Sequence, residues 1–105
     1  MDALEPFRCD GPIQDPTPSD YLGSASKDAY DVVLQVSLET EQGNSAVIST
    51  SNLKYMYWSF KQQLAHHTVN GCNMNSGDLC GTGTLSGPVY YFNIRHQILM
   101  VVCWN

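Results

Sequence analysis

Four prolines, Pro6, Pro12, Pro16 and Pro18, fall between residues 6 and 18 of this chain. Each fixes φ near the polyproline value and removes a backbone donor, so neither an α-helix nor a central strand can run through them. Residues 5–22 are therefore predicted as loop, with Asp15-Pro16-Thr17-Pro18 extended. A segment of this kind is expected to drape over another part of a protein rather than stand alone.

Regular structure must then come from the rest of the chain. In residues 30–39, Val32, Leu34, Val36 and Leu38 share one face and Val33, Gln35, Ser37 and Glu39 the other. Period two with β-branched residues predicts a half-buried strand. Turn chemistry around Gly43 and Asn44 and a short return strand over Ala46–Ser49 complete a hairpin. Leu53, Met56, Tyr57, Phe60 and Leu64 then recur at helical steps, predicting one amphipathic helix over about 52–67, capped by Thr50 or Ser51 and closed at Gly71. Asn73–Asp78 reads as a turn with Gly77 at positive φ. Leu79–Leu85 reads as a strand whose glycines, Gly81 and Gly83, mark a bulge or a close approach. The fold class is α+β, and no internal repeat is present.

Composition removes several functions. Ten acidic against five basic residues give a net charge of −5, and the basic residues are scattered. Phosphate binding needs clustered Lys and Arg, so a nucleic-acid partner is not expected. The longest apolar run, Ile98 to Trp104, is far too short to cross a bilayer, so no membrane partner is expected. Met1 to Pro6 carries neither a basic nor an apolar signal region. Cys9, Cys72, Cys80 and Cys103 form no Cys-x-x-Cys pair, so free thiols in a reducing, cytoplasmic setting are expected.

Candidate chemistry is sparse. His66 and His67 with Cys72 and Cys80 contain zinc-ligand types, but neighbouring histidines on a helix point about 100° apart and the paired spacing is absent. One histidine is expected to pack inward and the other to be solvated or hydrogen-bonded. Cys72 and Cys80 look structural rather than nucleophilic. Residues 81–87, Gly-Thr-Gly-Thr-Leu-Ser-Gly, lack the Lys-Ser/Thr ending of a phosphate loop. Two readings stay open for them: hydroxyls of Thr82, Thr84 and Ser86 bonding an oxygen-rich ligand, or a glycine-rich turn between strands. Asp10, Asp15, Asp20, Asp28 and Asp31 show no calcium-loop spacing. The residues alone show no complete active site.

Longer stretches carry a resemblance. Asn52 to Trp58, Gln62 to Asn73, and Gly77-Asp78-Leu79 followed by Gly83-Thr84-Leu85-Ser86-Gly87-Pro88 closely resemble the fumarylacetoacetase branch of the fumarylacetoacetate hydrolase family. Met1 to Phe7 and Gln14-Asp15-Pro16 resemble it too. The resemblance implies a piece of that family's mixed β-roll, with residues 1–88 forming part of its C-terminal catalytic domain. It implies hydrolysis of a carbon–carbon bond of fumarylacetoacetate, giving fumarate and acetoacetate, at a site with Mg²⁺ and Ca²⁺, in a homodimer. It places Thr84 against substrate, lets the backbone approach at Gly83, and has Asp78 hold the loop. The family's water-activating histidine and its metal-binding carboxylates precede this stretch, so no catalytic and no metal-binding residue is assigned here. The chain alone is expected to be inactive.

The resemblance stops after Pro88. There the family continues with a segment like Pro-Asp-Ser-Tyr-Gly-Cys-Leu-Leu-Glu, which codons for His96 to Asn105 can spell when read in another frame. Residues 89–105 are therefore expected to be a non-homologous tail, with 89–95 from intron and 96–105 out of frame. The alternative is a genuine variant strand over Ile98 to Trp104.

Overall fold

A computed structural model describes residues 2–23, 27–87 and 97–103. It is a mixed α+β chain with three two-stranded antiparallel sheets and, among the described residues, one α-helix. The first sheet joins β1 (Arg8–Cys9) to β2 (Ala29–Tyr30). Ahead of β1, Asp2–Phe7 forms a 3-10 helix that includes Pro6. Residues 5–9 are thus not loop as predicted: proline's fixed φ suits a 3-10 turn, and so short a piece needs few amide donors.

Residues 10–19 do follow the proline reading and carry a cis peptide at Asp15–Pro16. They drape over this same chain: Gln14 Nε2 donates to the Tyr57 carbonyl at 2.8 Å, and the Asp15 amide donates to the Tyr57 hydroxyl at 3.1 Å.

β3 (Val33–Glu39) and β4 (Ser45–Asn52) form the predicted hairpin, closed by a turn in which Gly43 takes φ +81°. Val32, Leu34 and Val36 are half-buried while Val33, Gln35 and Ser37 are exposed, the alternation expected of a one-sided strand. The pattern fails at Leu38, which is exposed near the projecting tip. A bulge follows Val36, where Ile48 is the extra residue opposite the Val36–Ser37 step.

The helix α1 spans Phe60–Thr68, eight residues later than the predicted start at 52. Thr50 and Ser51 belong to β4 and do not cap it. Leu53–Tyr55 is instead a 3-10 turn whose cap is Asn52, and Met56 is extended. The true start is a capping box: the Ser59 hydroxyl accepts from the Gln62 amide at 3.3 Å, and Gln62 Oε1 accepts from the Ser59 amide at 3.1 Å. Helix and turn could be confused because both aim apolar residues at one core. Leu53 and Phe60 are buried with Tyr30, and Leu4, Val32, Leu34 and Met56 pack around them. The Tyr30 and Phe60 rings meet at 6.1 Å, tilted by 32°. Beyond α1, Gly71 takes φ +85° and its amide donates to the Thr68 carbonyl at 2.9 Å, as expected for the residue that turns the chain away.

β5 (Leu79–Ser86) pairs with β6 (Gln97–Cys103). Part of the expected foreign tail, residues 89–96 and 104–105, lies outside the described residues; the remainder is β6.

Candidate functional site

The Gly-Thr-Gly-Thr segment lies on β5 and contains the predicted irregularity. Gly81 pairs with Val101 and Thr84 with Leu99, so β5 spends one more residue than β6 over that step. Gly83, at φ +76°, takes the left-handed conformation inside this bulge. The extra residue inverts the parity of the strand. Before it, Cys80 and Thr82 are half-buried; after it, Leu85 is 2 % exposed and Thr84 stands on the exposed side. Without the bulge, Thr84 would share a face with Cys80 and Thr82. The glycine pair therefore decides which way Thr84 points.

The strand is anchored on both sides of this segment. Ahead of it, the Asp78 carboxylate accepts from the Asn75 amide at 2.7 Å, and the Asp78 amide donates to the Asn75 carbonyl at 3.1 Å. Gly77 supplies φ +95° in the same turn. Asp78 thus closes the turn that leads into β5. Behind it, Gly87 is pressed against Tyr55 and Ser51: a Cβ there would lie 2.8 Å from the Tyr55 ring and 2.9 Å from Ser51 Oγ. Ser49 Oγ and Ser51 Oγ are buried with no hydrogen-bond partner.

A cavity of about 560 Å³ separates α1 from the first half of β5. Its walls include His66 and His67 from the helix, Asp78 from the turn, and Cys80 and Thr82 from the strand. Thr84 is not among its lining residues, so the bulge turns the expected substrate contact away from this hollow. The inward-packing histidine expected from the sequence is not found. His66 and His67 are both exposed, because Gln62 rather than a histidine occupies the buried helix face. His66 Nδ1 lies 2.8 Å from the Tyr21 hydroxyl, and His67 Nε2 lies 3.2 Å from Cys72 Sγ. Cys72 is exposed and contacts an imidazole, so it is not the structural thiol expected. Cys9, Cys72 and Cys80 are free.

The cation implied by the resemblance finds no fit among these side chains: no group of three or more His, Cys, Asp or Glu among the described residues could hold a metal ion. Among the described residues, too, no helix is long and apolar enough to cross a membrane.

Two polar constellations escaped the sequence reading. Gln62 and Gln14 exchange amide hydrogen bonds at 2.9 and 2.8 Å. Asp31 accepts from Asn52 Nδ2 at 2.7 Å and from Lys54 Nζ at 3.3 Å. The Asn52 hydrogen bond, then that of Lys54, holds the Asp31 carboxyl below its ordinary range. Only the Ser-x-x-Gln spacing at Ser59 and Gln62 could have announced part of the first.

Residues 11–100 match the family model described as fumarylacetoacetate (FAA) hydrolase C-terminal. A fumarylacetoacetase of Dictyostelium discoideum is 56% identical over 89 residues, 84% of this chain and 21% of that protein. The Arabidopsis thaliana fumarylacetoacetase is 54% identical over 106 positions, covering 100% of this chain and 24% of its own length. The Homo sapiens fumarylacetoacetase is 51% identical over 89 residues, again 84% of this chain and 21% of the relative. The chain thus spans between a fifth and a quarter of the length of these relatives. With a family model matching residues 11–100 and relatives more than half identical to it, the chain belongs to the fumarylacetoacetate hydrolase C-terminal family.

Proposed function

We propose that this chain is part of a fumarylacetoacetase-type hydrolase, which adds water across a carbon–carbon bond of fumarylacetoacetate to release fumarate and acetoacetate, the closing step of tyrosine breakdown. The observation that carries this reading is identity of 51–56% to fumarylacetoacetases across 84% or more of the chain. On this reading Thr84 contributes a hydroxyl to substrate, presented by the bulge at Gly83. Hydrolytic cleavage of a β-diketone needs an activated water and stabilisation of the departing enolate. The described residues offer no metal cluster for either task. Mg²⁺ and Ca²⁺ are read as held by residues outside this chain, as the resemblance implies, and the chain alone is read as inactive. The working protein is read as a cytoplasmic homodimer. Residues 89–105 are read as a frame-shifted tail, although the family match runs to residue 100 and the Arabidopsis thaliana alignment covers the whole chain; a transcript crossing the Pro88 codon decides between them. The function itself is tested by assaying the purified chain with fumarylacetoacetate and Mg²⁺. No release of acetoacetate is expected, and turnover would overturn the inactivity.

A second reading has the chain pairing with a full-length subunit through open strand edges. It is favoured by the β3–β4 sheet, which has only two strands and leaves Val33, Val47 and Ile48 exposed. Co-purification with a full-length fumarylacetoacetase is the expected result, and a chain recovered only alone would count against it.

A further inference from the structure

Cys72 follows the helix α1 through Gly71, whose positive φ swings the chain back beside the last helical turn. This return brings Cys72 Sγ to 3.2 Å from Nε2 of His67, with both side chains exposed. The Asn70 side chain accepts from the Cys72 amide at 3.3 Å, which fixes the backbone carrying the thiol. His67 and Asn73, the partner and the chain neighbour of Cys72, both line the cavity between α1 and β5. Cys72 itself is not a lining residue of that hollow; its thiol stands at the exposed surface beside His67, which is one.

We propose that Cys72 and His67 form a thiol–imidazole pair that makes Cys72 a selective covalent modification site for electron-poor alkenes conjugated to a carbonyl group. Such an addition needs a nucleophile and a nearby group that can both take and return a proton, and the pair supplies both. In the tautomer whose Nε2 carries no proton, that nitrogen accepts from the thiol. As sulfur attacks the β-carbon of the alkene, its proton passes to that nitrogen. The C–S bond forms, the π pair of the double bond moves onto the conjugated carbonyl, and the imidazolium then delivers the proton to the α-carbon. The net change is addition of S–H across the double bond, with no oxidant or reductant. The other described thiols lack these conditions. Cys9 is half-buried, and burial first, then the charge of Asp31, pushes its thiol up. Cys80 is half-buried and, among the described residues, has no histidine in hydrogen-bond contact.

The test uses the full chain and N-ethylmaleimide, with each cysteine's modification rate read by peptide mapping. Cys72 is expected to react about tenfold faster than Cys9, and faster in the folded chain than in guanidinium, where exposure is complete but the imidazole is gone. His67→Asn is expected to remove most of that advantage, His66→Asn to leave it, and added free imidazole to restore part of it in the His67 variant. Rescue of this kind separates proton transfer from a merely structural role. If His67→Asn fails to fold, the folded and unfolded rates of the unaltered chain still decide. A folded-state rate for Cys72 no higher than the unfolded one, or a folded His67→Asn chain that reacts at the original rate, would overturn the proposal.

Discussion

Gln14 and Gln62, far apart in the chain, lie amide against amide: each side-chain NH₂ donates to the other's carbonyl oxygen, at 2.9 and 2.8 Å. Gln62 is 2 % exposed, and the same oxygen also accepts from the Ser59 amide. One side chain therefore starts the helix and fastens the proline-rich loop to it.

Gln62→Ala should be correspondingly costly. It strands the buried Ser59 amide and the carbonyl oxygen of the Gln14 side chain together, a loss of about 2–3 kcal/mol when each unsatisfied group costs about 1–3 kcal/mol. Gln14→Ala, with its partner still held by Ser59, should cost about 1 kcal/mol. Denaturant midpoints of the two variants and the double variant give the coupling; additive effects would mean that the latch contributes nothing.

Gly87 should not tolerate alanine. The added Cβ would stand 2.8 Å from a ring carbon of Tyr55 and 2.9 Å from Ser51 Oγ, inside contact distance on two sides. Displacing them should cost about 1–3 kcal/mol. Gly81 is the control, because no atom lies within 4 Å of its would-be Cβ. Thermal melts of Gly87→Ala and Gly81→Ala should separate clearly, and equal melting temperatures would refute the close approach.

Much of this arrangement could be read from residue order, and the part that could not has a physical reason. The β3 strand was legible because one face meets the core and the other meets water at every second residue. Gly71 and Gly77 were legible because a left-handed backbone strongly favours glycine, and Gly83 because a glycine inside a strand marks a bulge. The start of α1 was not. Leu53, Met56 and Phe60 repeat at helical steps, yet a 3-10 turn followed by extended chain delivers all three to the same cluster. Ser59 with Gln62 was the local signal that competed with that stripe. The Gln14–Gln62 pair and the Cys72–His67 contact depend on how segments return in space, which periodicity does not encode. Thr84 could be proposed as a substrate contact from its surroundings in the sequence, but its direction depends on counting one extra residue against β6.

Asp31 should make folding sensitive to acid. Its folded pKa lies below the ordinary 3.8, through Asn52 first and Lys54 second. A depressed carboxyl stabilises the fold above its unfolded pKa, and that contribution disappears as pH falls through the lower folded value. Asn52→Ala should move the Asp31 carboxyl back toward its ordinary range in a carbon-13 NMR titration. It should also flatten the loss of stability below about pH 4, where the unfolded carboxyl takes up its proton. An Asp31 titration unchanged by Asn52→Ala would show that the hydrogen bond is not the cause.

The proposed role of the Gly83 bulge in presenting Thr84 to substrate is tested most directly in a full-length relative, by replacing the residue that matches Thr84 with valine. Losing one hydroxyl contact should lower kcat/KM for fumarylacetoacetate by about tenfold, the equivalent of one ordinary hydrogen bond. Replacement at the position matching the exposed Ser86 should leave kcat/KM unchanged. Unaltered kinetics in the valine variant, with its stability intact, would contradict the assignment of Thr84 to the substrate.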